Sequence, residues 1–140
     1  MGQQIHIRTI MTTQLCYKKQ SLSRLINYAS STLGLSFLQV KKKYNDYPIC
    51  LMYYMEKNTK EDLIEVRLDQ EQATLSCVFD KDSTCKSSYL FLDNTESLTE
   101  CIEYLNSIYK YDYLKCQWRL PGCWLTLKKT DDDVCLFLYY

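Results

Sequence analysis

Eight cysteines and one histidine are the side chains of this sequence best suited to act as nucleophiles, bases or metal ligands. The cysteines are 7 to 34 positions apart, and no Cys-x-x-Cys pair occurs. Zinc sites usually draw on closely spaced ligand pairs, and a cysteine nucleophile needs a base within hydrogen-bond reach. His6 is the only imidazole and is far in sequence from most of the thiols. The spacing therefore predicts no metal site, no catalytic cysteine and no cofactor.

Most of the cysteines fall on apolar faces of the predicted elements, as Cys77, Cys101 and Cys116 do. A free thiol behaves as a small hydrophobic group when it is buried, so we expect these three side chains in the core. Cys85, in a polar stretch, is the expected exception. No signal peptide is recognisable, so we expect reduced thiols and a cytoplasmic location. No stretch approaches the roughly 20 apolar residues of a membrane-spanning helix.

Carboxylates form three clusters, around residues 61–65, 96–103 and 131–133. Paired carboxylates catalyse glycoside hydrolysis, but acidic runs are more often solvated surface. Glycines occur only at positions 2, 34 and 122, which excludes the glycine-rich phosphate loops. An enzyme with a cysteine or carboxylate site remains a second alternative to the binding function proposed below.

Charge is balanced overall but unevenly distributed along the chain. Seventeen basic and seventeen acidic residues cancel. Residues 1–60 hold nine basic and two acidic side chains, whereas residues 61–112 hold four and twelve. A basic patch containing Lys41, Lys42 and Lys43 would suit nucleic acid, but the zero net charge argues against such a partner. The acidic middle portion instead suits a basic protein, or attracts the basic portion within the fold.

Aromatic residues are abundant, with thirteen tyrosines and two tryptophans. The predicted alternation cannot turn all of them inward. Aromatic side chains anchor protein interfaces, so we expect some of the tyrosines to contact a partner. A composition poor in alanine and glycine explains the same abundance without an interface.

Two segments have the periodicity of amphipathic helices. In residues 21–33, apolar side chains recur at helical spacing, with Ser21 as a cap and Gly34 as the terminating residue. In residues 98–109 the pattern is stronger, and Asp93, Asn94 or Thr95 begins the helix. Each segment therefore predicts one helix with a single apolar face.

Period-two alternation or turn residues define the strands. We expect strands at residues 35–43, 48–56, 64–68, 73–79, 89–92, 114–120, 123–129 and 134–140. The segment 49–55 is apolar on both faces, which predicts a central position. The apolar last strand is expected to lie inside the sheet or to pair with another chain.

These elements predict one domain, residues 1–140, in the α+β class. Two amphipathic helices would pack on a curved, mainly antiparallel sheet of about seven to eight strands, as a two-layer sandwich. Residues 1–10 are either an arm or a first edge strand, and Met11 is a second possible start.

The function that these features favour is protein binding. We expect an inhibitor or immunity-type domain that covers a basic partner by steric and electrostatic occlusion. Its partner-binding residues are the three glutamates of the second helix and two tyrosines, namely Glu96, Glu100, Glu103, Tyr104 and Tyr111. The first alternative is an adaptor or secretion-chaperone-like protein that dimerises through its C-terminal strand.

Overall fold

A computed structural model describes residues 19–56, 59–131 and 133–140, without the side chains of residues 54–56 and 59. His6, Cys16, the proposed N-terminal arm and the Met11 start lie outside the described residues. Helix α1 is present over residues 19–32, α2 is Phe37–Lys43 and α3 is Thr95–Ile108. The strands are β1 Ile49–Glu56, β2 Thr59–Leu68, β3 Ala73–Phe79, β4 Cys85–Leu92, β5 Lys110–Asp112, β6 Gln117–Leu120, β7 Cys123–Lys129 and β8 Val134–Tyr139.

All eight strands form one antiparallel sheet in the order β1-β2-β3-β4-β8-β7-β6-β5. Strands β1–β4 form one meander and β5–β8 another, and the two meanders join where β4 pairs with β8. Ser88 lies opposite Leu138 and Leu90 lies opposite Leu136 at this junction. The predicted α+β class and the sheet of about eight strands are confirmed.

The helices cover one face of the sheet. The core joins Leu25 and Ala29 of α1 and Leu105 of α3 to three side chains of β2, namely Ile64, Val66 and Leu68. Ser88, also on this face, donates a hydrogen bond to the carbonyl oxygen of Ala29 at 2.8 Å. Apolar burial and this buried polar contact together hold the helical layer on the sheet.

Helices α1 and α3 confirm the periodicity-based predictions, and local residues define the end of α1 and the start of α3. The Asn94 side chain caps α3 by accepting a hydrogen bond from the backbone N–H of Glu96 at 2.7 Å. Gly34 follows α1 with a φ of +84°, a left-handed conformation that glycine adopts without steric cost. Ser21 does not act as the predicted cap, because the helix already includes residue 19.

The strand predicted at residues 35–43 is wrong, because Phe37–Lys43 forms the third helix, α2. Ser36 and Gln39 form a capping box: the Ser36 hydroxyl accepts from the Gln39 backbone, and Gln39 Oε1 accepts from the Ser36 backbone at 2.8 Å. Val40 is fully buried. The helix therefore provides one core side chain and exposes its lysines.

The central position predicted for residues 49–55 is also wrong. This segment, β1, is an edge strand that pairs only with β2 among the described strands. Leu51, Met52 and Tyr53 are each about half exposed or more. Strand β8 takes the central place instead, with β4 on one side and β7 on the other. Of the two alternatives for the last strand, packing inside the sheet is the one observed.

Two cysteines differ from their predicted environments. Cys85 is fully buried in β4, whereas Cys116 is exposed in the turn before β6, with a φ of +54°. This turn replaces the first part of the strand predicted at residues 114–120, and residues 110–112 form the additional strand β5. Cys77 and Cys101 are buried, as predicted, and all the described cysteines are free.

Removing a core side chain from β8 should strongly destabilise the protein. Leu138 is 0% exposed, so Leu138→Ala should lower the free energy of unfolding by about 3 kcal/mol through lost burial and a residual cavity. The matched control is Leu114→Ala, since Leu114 is 97% exposed and its loss should change stability by less than about 0.5 kcal/mol. Urea unfolding of both variants checks this, and equal effects would contradict the central position of β8.

Candidate functional site on the uncovered sheet face

The three glutamates of the predicted partner site lie along α3. Glu96 and Glu103 are exposed, and Glu100 is partly buried. Glu96 and Glu100 line a groove of about 320 Å³ that also includes Glu71, whose carboxylate binds Arg24 at 3.1 Å. Helix α3 contains no lysine or arginine, so its solvent side is acidic.

The two tyrosines of the predicted site pack against the core. Tyr104 lines a groove of about 680 Å³ next to α1, together with Tyr109. The Tyr111 ring lies edge-on to Trp118, with centroids 4.9 Å apart, and burial raises the pKa of its hydroxyl. Both tyrosines therefore contribute to packing between helices and sheet.

A different surface emerges on the sheet face opposite the helices. One row of register partners crosses all eight strands there: Met52, Leu63, Val78, Ser87, Tyr139, Trp124, Arg119 and Lys110. Val78 and Cys135, which are buried on this face, do not belong to the core cluster beneath the helices. No helix of the described chain covers this side.

Aromatic rings concentrate around the junction of the two meanders. Tyr89 of β4 lies 4.8 Å from Phe137 of β8, measured between ring centroids. Phe91 stacks on Tyr89 at 6.4 Å, and Tyr139 stacks on Phe137 at 5.3 Å. All four rings are partly exposed. Neighbouring strands thus carry a continuous group of half-buried rings.

Basic side chains lie over these rings and over the ring of Trp124. Lys128 Nζ is 5.1 Å from the Tyr89 centroid and 4.7 Å from the Phe137 centroid, and it donates a hydrogen bond to the Tyr89 hydroxyl at 3.1 Å. Lys115 and Arg119 lie 5.2 Å and 5.6 Å from the Trp124 centroid. The negative faces of the rings attract these cations. We name this surface the cation–aromatic face; it comprises Tyr89, Phe91, Trp124, Phe137, Tyr139, Lys115, Arg119 and Lys128.

The cations of this face have no carboxylate partner among the described residues. The other half of the same sheet face is different. There Arg67 binds both Asp69 and Asp93, which keeps the pKa of Asp93 below its usual value, and Lys86 pairs with Glu61. Positive charge is thus neutralised on strands β2–β4 and left available on strands β6 and β7 and the turn before them.

Trp124 lies between two shallow grooves. One, of about 420 Å³, is lined by the β5–β6 turn, including Tyr113 and Leu114, which are 84% and 97% exposed. The other, of about 180 Å³, is lined by Gly122 and Tyr140. Asp112, which lines the larger groove, accepts hydrogen bonds from the backbone N–H groups of Leu114 and Lys115. Its carboxylate therefore organises the turn.

The rings and cations of the cation–aromatic face are suited to binding flat, negatively charged groups.

No cluster of three or more cysteine, histidine or acidic side chains suited to a metal occurs in the part of the chain that the structure describes. None of the described helices has the length and apolar character that crossing a membrane requires. No family model, curated protein or solved structure matches the chain.

The sequence pattern does not reveal this surface, because residues 89–92 of β4 and the whole of β8 are apolar on both sides. The meeting of Tyr89 and Phe137 requires the β4–β8 register, which no local pattern reveals. The alternation of Trp124, Thr126 and Lys128 along β7 was the available signal, since it places a ring and a cation on the same face.

The charge around Trp124 should be visible in fluorescence quenching. In Trp118→Phe, which leaves Trp124 as the only tryptophan, the ratio of iodide to caesium quenching should exceed that of free N-acetyltryptophanamide, because Lys115 and Arg119 attract anions. Lys115→Glu combined with Arg119→Glu should lower this ratio, while Lys41→Glu combined with Lys42→Glu, an equal charge change on α2, should not. A ratio no higher than that of the free indole compound would contradict a cationic environment at Trp124.

Proposed function

We propose that this protein is a binding domain that holds a polyanionic partner on its cation–aromatic face. The observation that carries this proposal is the set of three cations, Lys115, Arg119 and Lys128, that lie over aromatic rings without a carboxylate partner in the described chain. An incoming anion would supply the missing countercharge.

Pre-positioning supports this proposal. The ring contacts and the hydrogen bond to the Tyr89 hydroxyl hold Lys128 in place, so less side-chain freedom is lost when an anion binds. No internal acid must be displaced first, in contrast to Arg67, which two aspartates already bind.

The extent of the face suits an elongated partner. Lys128 is on β7, Arg119 is on β6, and the rings extend to β4, three strand spacings from β6 in the sheet order. At about 4.8 Å per spacing this is about 14 Å. A polymer with several negative charges can therefore extend across this width while it contacts the cations on β6 and β7.

Retention on immobilised heparin tests the proposal. The wild-type protein should bind at low salt and elute as salt rises, because binding releases counterions from the polyanion. Arg119→Glu combined with Lys128→Glu should abolish retention. The control is Lys41→Glu combined with Lys42→Glu, at two exposed lysines of α2. It changes the net charge by the same amount and should leave retention nearly unchanged.

Loss of retention in the α2 variant alone would move the polyanion site to the basic patch of residues 41–43. Unchanged retention in both variants would show that neither surface is responsible. Either result contradicts the proposed site.

A second candidate function uses the acidic side of α3, as the sequence predicts. Glu96 and Glu103 are exposed on a helix without basic residues, which favours an inhibitor-type contact with a basic protein. The glutamates would steer the partner and the domain would block its site sterically.

Charge reversal on α3 tests this second candidate. A stoichiometric basic partner should copurify with the wild-type protein and be lost from Glu96→Lys combined with Glu103→Lys. The partner should remain with Arg119→Glu combined with Lys128→Glu, which leaves α3 unchanged. Capture that is unaffected by the α3 reversal would contradict a role for these glutamates.

A further inference from the structure

We infer that the polyanion is a single-stranded nucleic acid, whose bases stack on Trp124 and on the Tyr89–Phe137 pair while its phosphates contact Lys115, Arg119 and Lys128. This inference rests on the proposed function and adds the chemical class of the partner. It depends on the combination of rings and cations on one face, because cations alone would serve any polyanion.

The rings are the first part of the argument. Each nucleobase has a flat π face that stacks on an aromatic side chain without regard to sequence. Trp124 is partly exposed between two grooves, and the exposed Tyr113 adds a second ring at the rim of the larger one. A planar group can therefore approach the indole from the solvent side.

The spacing of the rings is the second part. Trp124 is on β7 and Tyr89 is on β4, with β8 and its Phe137 between them. Two strand spacings amount to about 10 Å, and sheets of comparable width accommodate two or three bases. The cations lie over the same rings, so a stacking base would move each of them from the ring face to the neighbouring phosphate.

The geometry also distinguishes single strands from duplexes. Base faces in a duplex are already stacked on one another, so they are not available to Trp124 or Phe137. An uncovered sheet of eight strands is far wider than the major groove of B-DNA, which is about 12 Å across. The face therefore favours unpaired bases.

An acidic protein segment is the competing occupant. Aspartate and glutamate would satisfy the cations, but they present no aromatic plane to the five rings of the face. The group of stacked rings, Tyr89, Phe91, Phe137 and Tyr139, thus favours nucleic acid.

Four single-chain polyanions and one duplex test the inference with the full chain. The single chains are oligo-dT and oligo-U of about ten nucleotides, within the usual site size of a single-strand binding domain, together with a heparin fragment and poly-glutamate. Anisotropy of a labelled probe gives affinity, and Trp124 fluorescence in Trp118→Phe reports stacking. Both oligonucleotides should bind and quench Trp124, whereas heparin should bind without comparable quenching. A blunt duplex of the same length should bind more weakly than the single strands.

Two variants separate stacking from charge. Trp124→Ala should weaken oligonucleotide binding at least about fivefold and leave heparin binding unchanged, as expected for the loss of one stacked base. Lys128→Ala should reduce the magnitude of the slope of log affinity against log salt by about 0.7, from about 2 for three phosphate contacts.

The control is Tyr53→Ala, on the distant edge strand β1. The Tyr53 ring is exposed and Lys60 lies over it at 4.9 Å. This variant should change neither quantity. Trp124→Leu keeps the apolar volume if the alanine variant does not fold.

The outcomes distinguish the inference from the proposed function. If all the polyanions bind alike and Trp124→Ala and Trp124→Leu have no selective effect, the nucleic-acid inference fails and the polyanion site stands. Tighter binding of poly-glutamate than of either oligonucleotide identifies a protein partner and also overturns the inference. If no probe binds at low salt, the proposed function itself fails.

Discussion

The pairing of β4 with β8 is the interaction on which the rest of the structure depends, because it is where two four-stranded meanders become one sheet. Only four register pairs, from Ser87↔Tyr139 to Leu90↔Leu136, make this junction. On the helical side it aligns Leu90 with Leu136 in the core. On the uncovered side it brings Tyr89 against Phe137. Stability and the candidate site thus share one set of backbone hydrogen bonds.

The strand order reads as two equivalent halves, since β1 to β4 lead inward from one edge and β5 to β8 from the other. Each half also follows a helix: α1 and the short α2 precede the first, and α3 precedes the second. The residues on the uncovered face differ, however. The first half pairs Arg67 with aspartates, whereas the second half places Lys128 and Arg119 over rings. The architecture is nearly symmetric, and the chemistry of its surface is not.

Local patterns predicted much of the fold and little of the candidate site. The apolar periodicity of α1 and α3 follows from burying one face, so it is readable in the sequence. Residues 37–43 form a helix and not the predicted strand, because the Ser36–Gln39 capping box outweighs a short apolar alternation. Strand β1 looked central because it is apolar on both faces, although edge position depends on the order of all strands. The site is hidden for the same reason: the distribution of charge along the chain does not show that Lys128 and Tyr89 meet, because they do so only through the register of three strands.

The central place of a strand that comes last in chain order has a consequence during synthesis. Strands β1–β4 can pair as soon as they leave the ribosome, but the free edge of β4 stays unpaired until β8 is synthesised. The first residue of β8, Val134, follows Leu92 by 42 positions. At about 5–20 residues per second this interval is roughly 2–8 seconds. Throughout that time the nascent chain exposes an unpaired, aromatic-rich strand edge, which is a surface that chaperones recognise and that neighbouring nascent chains can join.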